Sequence, residues 1–161
     1  MSLSTRVERA IAATKKPCVY KLGKGGFNAA KPLDPCWDGG RSDCSGFVSY
    51  VIQTRRSPKE VRPFWIETTA IYKDATGKQV AFKKIDNPVP GCLVVYGDKG
   101  LGQGHIGVVV EVRENGYDTV ECASGFLGSV LKKQAIRRRS NAQELFGKRN
   151  AIFCILKGDK P

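Results

Sequence analysis

Hydrophobic positions predict two helices in the first third of the chain. Apolar residues recur at helical spacing over Val7–Thr14, and Thr5 with Glu8 fits a capping box, so we expect a helix over residues 5–15 that Pro17 ends. A second apolar stripe begins at Phe47 and predicts a buried helix starting near Cys44. Ser42 or Asp43 would cap that helix.

Between these helices, residues 21–41 are rich in glycine and proline, which predicts a long irregular loop of the kind that usually has a function. After a candidate short helix near residues 67–72, the pattern changes to strand character. The predicted strands are Val80–Ile85, Cys92–Tyr96, His105–Val112, Asp118–Ala123 and Ala151–Leu156. Asn115-Gly116 predicts a tight hairpin turn between two of them. Helices followed by strands indicate an α+β fold with a largely antiparallel sheet, and we expect one domain over residues 1–161.

Charge narrows the partners that the protein could have. Lys and Arg total 27 against 15 Asp and Glu, a formal charge of +12, which favours attraction to a polyanion such as nucleic acid, an anionic membrane or bacterial cell wall. The basic runs at residues 132–133 and 137–139 are explained by solvated faces, and no nucleic-acid motif is present, so no nucleic-acid partner is expected. Neither a transmembrane segment nor a signal peptide is recognisable.

Six cysteines and one histidine set the candidate chemistry. No paired CxxC spacing is present, so no metal or other cofactor is expected. Cys44 stands where a helix N-terminus would stabilise its thiolate, and the N–H groups of Cys44 and Ser45 could stabilise an oxyanion. His105 is the natural base for it. The other cysteines are core residues, or include a disulfide if the protein works outside the cytoplasm.

Three motifs in order resemble the NlpC-type cell-wall cysteine peptidases and amidases of the papain-like superfamily. They are Asp43–Val48 at the helix start, Pro90–Tyr96 and Gly104–Val110. Tyr20 and the glycines after it resemble the upstream tyrosine and double glycine of that family. Cys92 departs from the pattern, since it stands where the family has an aspartate.

The resemblance implies a papain-like fold with N-terminal helices packed on the sheet. It also implies that Cys44 attacks an amide of the peptidoglycan stem peptide, that His105 transfers the proton, and that water hydrolyses the thioester. Tyr20 would lie beside the nucleophile and help to position the substrate. The family's third catalytic position falls on Cys122, although a thiol orients an imidazole poorly. A backbone carbonyl, Glu121 or Ser124 could take that role instead.

The chain is also similar to amidase effectors of type VI secretion and to phage-associated hydrolases. We therefore expect a monomer that acts on the cell wall, is delivered by a secretion system or phage, and could meet an immunity or inhibitor protein. Two other functions stay open. One is a deamidase or acyltransferase with the same Cys-His pair, because fold does not determine substrate. The other is a basic wall-binding or nucleic-acid-binding module with a vestigial pair.

Overall fold

The computed structural model describes residues 1–56, 65–98, 104–124 and 133–160. Four α-helices, one short 3₁₀ helix (Gly147–Arg149) and eight strands are found in these ranges. The helices are α1 (Leu3–Ala13), α2 (Cys44–Val51), α3 (Thr68–Thr76) and α4 (Gln143–Phe146). The strands are β1 (Val19–Tyr20), β2 (Arg41–Ser42), β3 (Phe82–Ile85), β4 (Leu93–Tyr96), β5 (His105–Arg113), β6 (Gly116–Cys122), β7 (Ile136–Arg139) and β8 (Ile152–Leu156). No described helix has the length and apolar character needed to cross a membrane.

Six strands form the central sheet in the order β3-β8-β4-β5-β6-β7, and every neighbouring pair is antiparallel. Strands β1 and β2 pair separately and in parallel. The architecture confirms the expected α+β fold with an antiparallel sheet. Successive strand residues point to opposite faces. On one face Val108 and Val120 pack with Phe47 of α2, and on the other face Val109 packs with Phe146 of α4.

The hairpin between β5 and β6 turns at Glu114-Asn115, close to the predicted Asn115-Gly116 turn. Its register runs from the pair Arg113 and Gly116 to the pair Glu111 and Asp118, then shifts by one residue so that Val109 pairs with Thr119. The extra residue is a β-bulge, which re-aims the side chains beyond it.

Several boundaries differ from the sequence prediction. Helix α1 begins at Leu3, because the Ser2 hydroxyl accepts a hydrogen bond from the Thr5 N–H at 3.2 Å and caps the helix earlier than the expected box. Strand β7 and helix α4 were not predicted, and β2 lies partly within the region expected to be an irregular loop. A disulfide joins Cys18 to Cys36, whose Cα atoms are 5.8 Å apart.

Candidate active site

Cys44 is the first residue of helix α2, and the residue before it explains why the helix starts there. Asp43 has extended backbone geometry, and its Oδ1 atom accepts a hydrogen bond from the Gly46 N–H at 2.7 Å. This N-cap leaves the Cys44 sulfur beside the positive end of the helix dipole, where a thiolate is stabilised. Cys44 itself is only 6% exposed.

The second oxygen of Asp43 links the glycine-rich loop to the start of helix α2. Oδ2 accepts the Gly23 N–H at 2.7 Å and pairs with the Arg56 guanidinium at 3.1 Å. Arg56 also donates to the Ser45 hydroxyl at 2.8 Å. Asp43, Ser45 and Arg56 are all buried, so removing Asp43 or Arg56 would leave the other charge buried and uncompensated. Because the Ser45 hydroxyl is engaged in this network, only its backbone N–H is left for a role at the reacting centre.

At two positions of the motifs, the backbone lies so close to its neighbours that only glycine fits. A Cβ atom at Gly46 would collide with the carbonyl oxygen of Lys24, and one at Gly25 would collide with the Ser42 hydroxyl. Gly25 also has φ of +78°, a conformation that side chains disfavour. The loop can therefore press against the start of α2 only because both positions lack a side chain.

His105 begins strand β5 and is held on three sides. Its Nε2 atom lies 2.9 Å from Oε2 of Glu121 on β6. The ring stacks on Phe146 of α4 with ring centroids 5.8 Å apart. The centroid of the Tyr96 ring lies 6.2 Å from that of the imidazole. The side chain is 13% exposed. These contacts fix the plane of the imidazole, and since Nε2 faces Glu121, Nδ1 is the nitrogen left for the thiol.

Glu121 is fully buried and carries a set of donors that keeps it ionised. Its carboxylate accepts from the Thr119 hydroxyl and from Nε of Arg139 at 2.9 and 3.1 Å. Burial alone would raise the pKa of Glu121, but the hydrogen bond and charge of His105, with the bonds from Thr119 and Arg139, lower it. Gly107 leaves room for this side chain, because a Cβ there would lie 2.9 Å from Cγ of Glu121.

The Cys44 thiol and the Glu121 carboxylate both affect the ionisation of His105. Burial lowers the pKa of His105, whereas its hydrogen bond with Cys44, followed by its hydrogen bond to the Glu121 carboxylate, raises it, and the net pKa is about 9. Tyr20 lies near the same thiol. Its pKa is raised, first by burial and then by the negative charge of Cys44, so the hydroxyl stays a hydrogen-bond donor. The site therefore favours a protonated imidazole.

The structure thus brings Cys44, His105 and Tyr20 together. The Cys122 thiol donates to the Ser42 carbonyl oxygen at 3.5 Å, whereas the adjacent Glu121 contacts the imidazole. Sequence analysis missed Arg139, Phe146 and Tyr96 as supports of the site. The only signal for Arg139 was its arginine run, which we interpreted as a solvated face. In the described part of the chain, no three His, Cys, Asp or Glu side chains come together as a metal site.

Comparison with known proteins adds one finding. No curated protein matches the chain at a significant level. The family model of the CHAP domain matches residues 36–125, more than half of the chain, and this range includes Cys44, His105 and Glu121. Proteins with this domain are cysteine- and histidine-dependent amidohydrolases and peptidases of the cell-wall type. With its antiparallel sheet and its Cys-His site, this chain belongs to the CHAP family of papain-like hydrolases.

Proposed function

We propose that this protein hydrolyses an amide bond in the peptide stem of peptidoglycan through a thioester on Cys44. The observation that carries the proposal is the placement of His105, which hydrogen-bonds Cys44 while its Nε2 atom is held 2.9 Å from Glu121. Such a chain of nucleophile, base and orienting group is the arrangement that activates a thiol. Family membership supports a wall amidase or peptidase in general, and the scissile bond is our inference.

In the first half of the reaction, the Cys44 sulfur attacks the carbonyl carbon of the amide. The oxygen becomes negative and accepts hydrogen bonds from the Cys44 N–H and the Tyr20 hydroxyl, which together form the oxyanion hole. Protonated His105 gives its Nδ1 proton to the nitrogen of the leaving amine as the C–N bond breaks. A thioester and a free amine result.

In the second half, water replaces the amine. Neutral His105 takes a proton from the water, the hydroxide attacks the thioester carbonyl, and the sulfur leaves as a thiolate beside the protonated imidazole. Glu121 keeps its charge throughout and stabilises that imidazolium, while Arg139 and Thr119 hold the carboxylate in place. Glu121 is thus our choice for the third group of the site, in preference to Cys122.

The disulfide and the charge support action outside the cytoplasm. Cys18 and Cys36 are paired, and disulfides persist mainly in oxidising compartments. A formal charge of +12 favours adsorption to a wall that carries carboxylates. Delivery by a secretion system or phage, an inhibitor partner and a monomeric state stay predictions.

The direct test is to digest purified peptidoglycan sacculi and identify the new termini by mass spectrometry. We expect one new amine and one new carboxylate per cleavage within the stem peptide, and none with Cys44→Ala. A product that keeps the backbone intact but releases ammonia would indicate a deamidase. Absence of any product, with Cys44 still reactive towards an alkylating reagent, would refute the proposal.

A further inference from the structure

A cleft lies between the end of helix α1 and the loop that precedes the nucleophile. Its volume is 540 Å³, within the range of about 300–1,000 Å³ that is usual for ligand pockets. The lining of the cleft includes Lys16, Pro17, Lys31, Pro32, Leu33 and Trp37. None of these side chains takes part in the mechanism above, so the cleft needs a separate explanation.

The cleft is held in shape by contacts to the rest of the fold. The disulfide to Cys18 fixes Cys36, which is one of the lining residues. Arg9 of α1 donates to the Pro32 carbonyl oxygen at 2.8 Å. The Trp37 indole N–H donates to the Gly26 carbonyl oxygen at 2.8 Å. A ligand would therefore bind to a loop that is already anchored, which reduces the entropic cost of binding.

The lining combines apolar surface with positive charge. Leu33 is 71% exposed, more than any other large hydrophobic residue in the described ranges. The indole N–H of Trp37 is already engaged, so this residue offers its ring to a ligand. Lys16 and Lys31 are exposed, whereas Asp34 directs Oδ1 to the Cys36 N–H at 2.9 Å. The cleft is suited to a ligand with a carboxylate and an apolar portion.

The cleft is also close to the nucleophile along the chain. Gly40 belongs to its lining and precedes Cys44 by four residues, so their Cα atoms are at most about 14 Å apart. The connecting strand β2 is paired with β1, which carries Tyr20. One polymer molecule is long enough to occupy both places.

We propose that this cleft is a subsite for a carboxylate-bearing segment of the peptidoglycan peptide. Lys16 and Lys31 contact the carboxylate, and the aliphatic part of the segment rests on Leu33 and Trp37. The subsite holds the polymer while another part of it is presented to Cys44. This assignment rests on the proposed function for the identity of the ligand, but it concerns binding and not bond cleavage.

The test measures binding without hydrolysis. In the Cys44→Ala background, cosedimentation with purified sacculi is compared for the parent, for Lys16→Gln with Lys31→Gln, and for Leu33→Ser. The matched control is Lys83→Gln with Lys84→Gln, which removes the same charge from exposed positions on β3. We expect each cleft variant to bind about tenfold more weakly, a loss of about 1.4 kcal/mol, and the control to match the parent.

Three outcomes would overturn the subsite: equal binding by cleft variants and parent, equal weakening in the control, or a parent that does not bind sacculi. The second outcome would mean that only net charge matters. Circular dichroism of each variant verifies the fold, and Leu33→Ser keeps the test valid if the charge variant does not fold. Sacculi that bind normally but are not cleaved by the wild type would refute the proposed hydrolysis and leave the subsite standing.

Discussion

Replacing Gly107 by alanine tests whether the contact between Glu121 and His105 is needed for hydrolysis. The added Cβ would lie 2.9 Å from Cγ of Glu121 and 3.3 Å from Cβ of Thr119. Carbon atoms in contact prefer about 3.5–4.0 Å, so the Glu121 side chain must move by about 0.6 Å or more. If the carboxylate moves equally, the distance from Oε2 of Glu121 to Nε2 of His105 grows from 2.9 Å to about 3.5 Å. A hydrogen bond at that distance is weak.

The size of the loss follows from that bond. A hydrogen bond to a charged group contributes roughly 1.5–3 kcal/mol, so kcat/KM should fall about 10-fold to 100-fold. The crowding itself should lower the free energy of unfolding by about 1–3 kcal/mol. The two effects are measured separately, kcat/KM by release of new amino termini from sacculi and stability by urea unfolding.

The pH profile gives a readout that a merely structural defect would not produce. Burial lowers the pKa of His105, while Cys44 and then Glu121 raise it to about 9, so the protonated imidazole is lost above that pH. We therefore expect wild-type kcat/KM to fall above about pH 9. Weakening the Glu121 contact should lower the pKa of His105, and this fall in kcat/KM should move to lower pH by about one unit.

Gly147→Ala is the matched control, because no atom lies within 4 Å of the Cβ that it adds. We expect its unfolding free energy to stay within about 0.5 kcal/mol of wild type and its pH profile to be unchanged. If Gly107→Ala is folded and behaves like this control in rate and pH dependence, the orienting role of Glu121 is refuted.

The remaining predictions concern single side chains of the site. Cys44→Ala should abolish peptide release and leave the thermal unfolding midpoint nearly unchanged; full activity would refute the nucleophile. His105→Ala should be as inactive, and the double variant little worse, because the two act as a unit; near-normal turnover would rule out the pair. Cys122→Ala should keep more than about one-tenth of the activity, a barrier change below about 1.4 kcal/mol, and a folded variant as inactive as Cys44→Ala would overturn our choice of Glu121. Arg139→Met should shift the alkaline fall in kcat/KM to lower pH, because Arg139 holds the Glu121 carboxylate that stabilises the imidazolium; an unchanged or upward-shifted fall in a folded variant would refute this role.

Local signals in the sequence accounted for the position of Cys44 and its helix. The apolar stripe, a cap at Ser42 or Asp43 and the strand that begins at His105 each depend on a few neighbouring residues. The structure confirms the helix and the strand, and it selects Asp43 as the cap. The antiparallel sheet followed from short β-branched runs and one turn. Features of this kind need no knowledge of distant contacts.

The supports of His105 could not be predicted in the same way. Strand β7 reads Ile-Arg-Arg-Arg, which has little of the alternation that identifies a half-buried strand. Helix α4 has only four residues, too few for a helical period to be visible. Both become ordered by packing against the sheet, so the roles of Arg139 and Phe146 depend on tertiary contacts.

The choice between Glu121 and Cys122 depends on one inserted residue in the hairpin. From the turn, Arg113 pairs with Gly116, and a regular ladder in that register would pair Gly107 with Cys122 and put this thiol on the face of His105. The bulge between Val109 and Glu111 shifts the ladder by one, so Val109 pairs with Thr119 and Glu121 comes to that face instead. Adjacent strand residues point to opposite faces, and a sequence pattern does not specify a bulge. For that reason the sequence narrows the group that orients His105 to a few neighbouring positions, and our choice of Glu121 among them depends on the strand register.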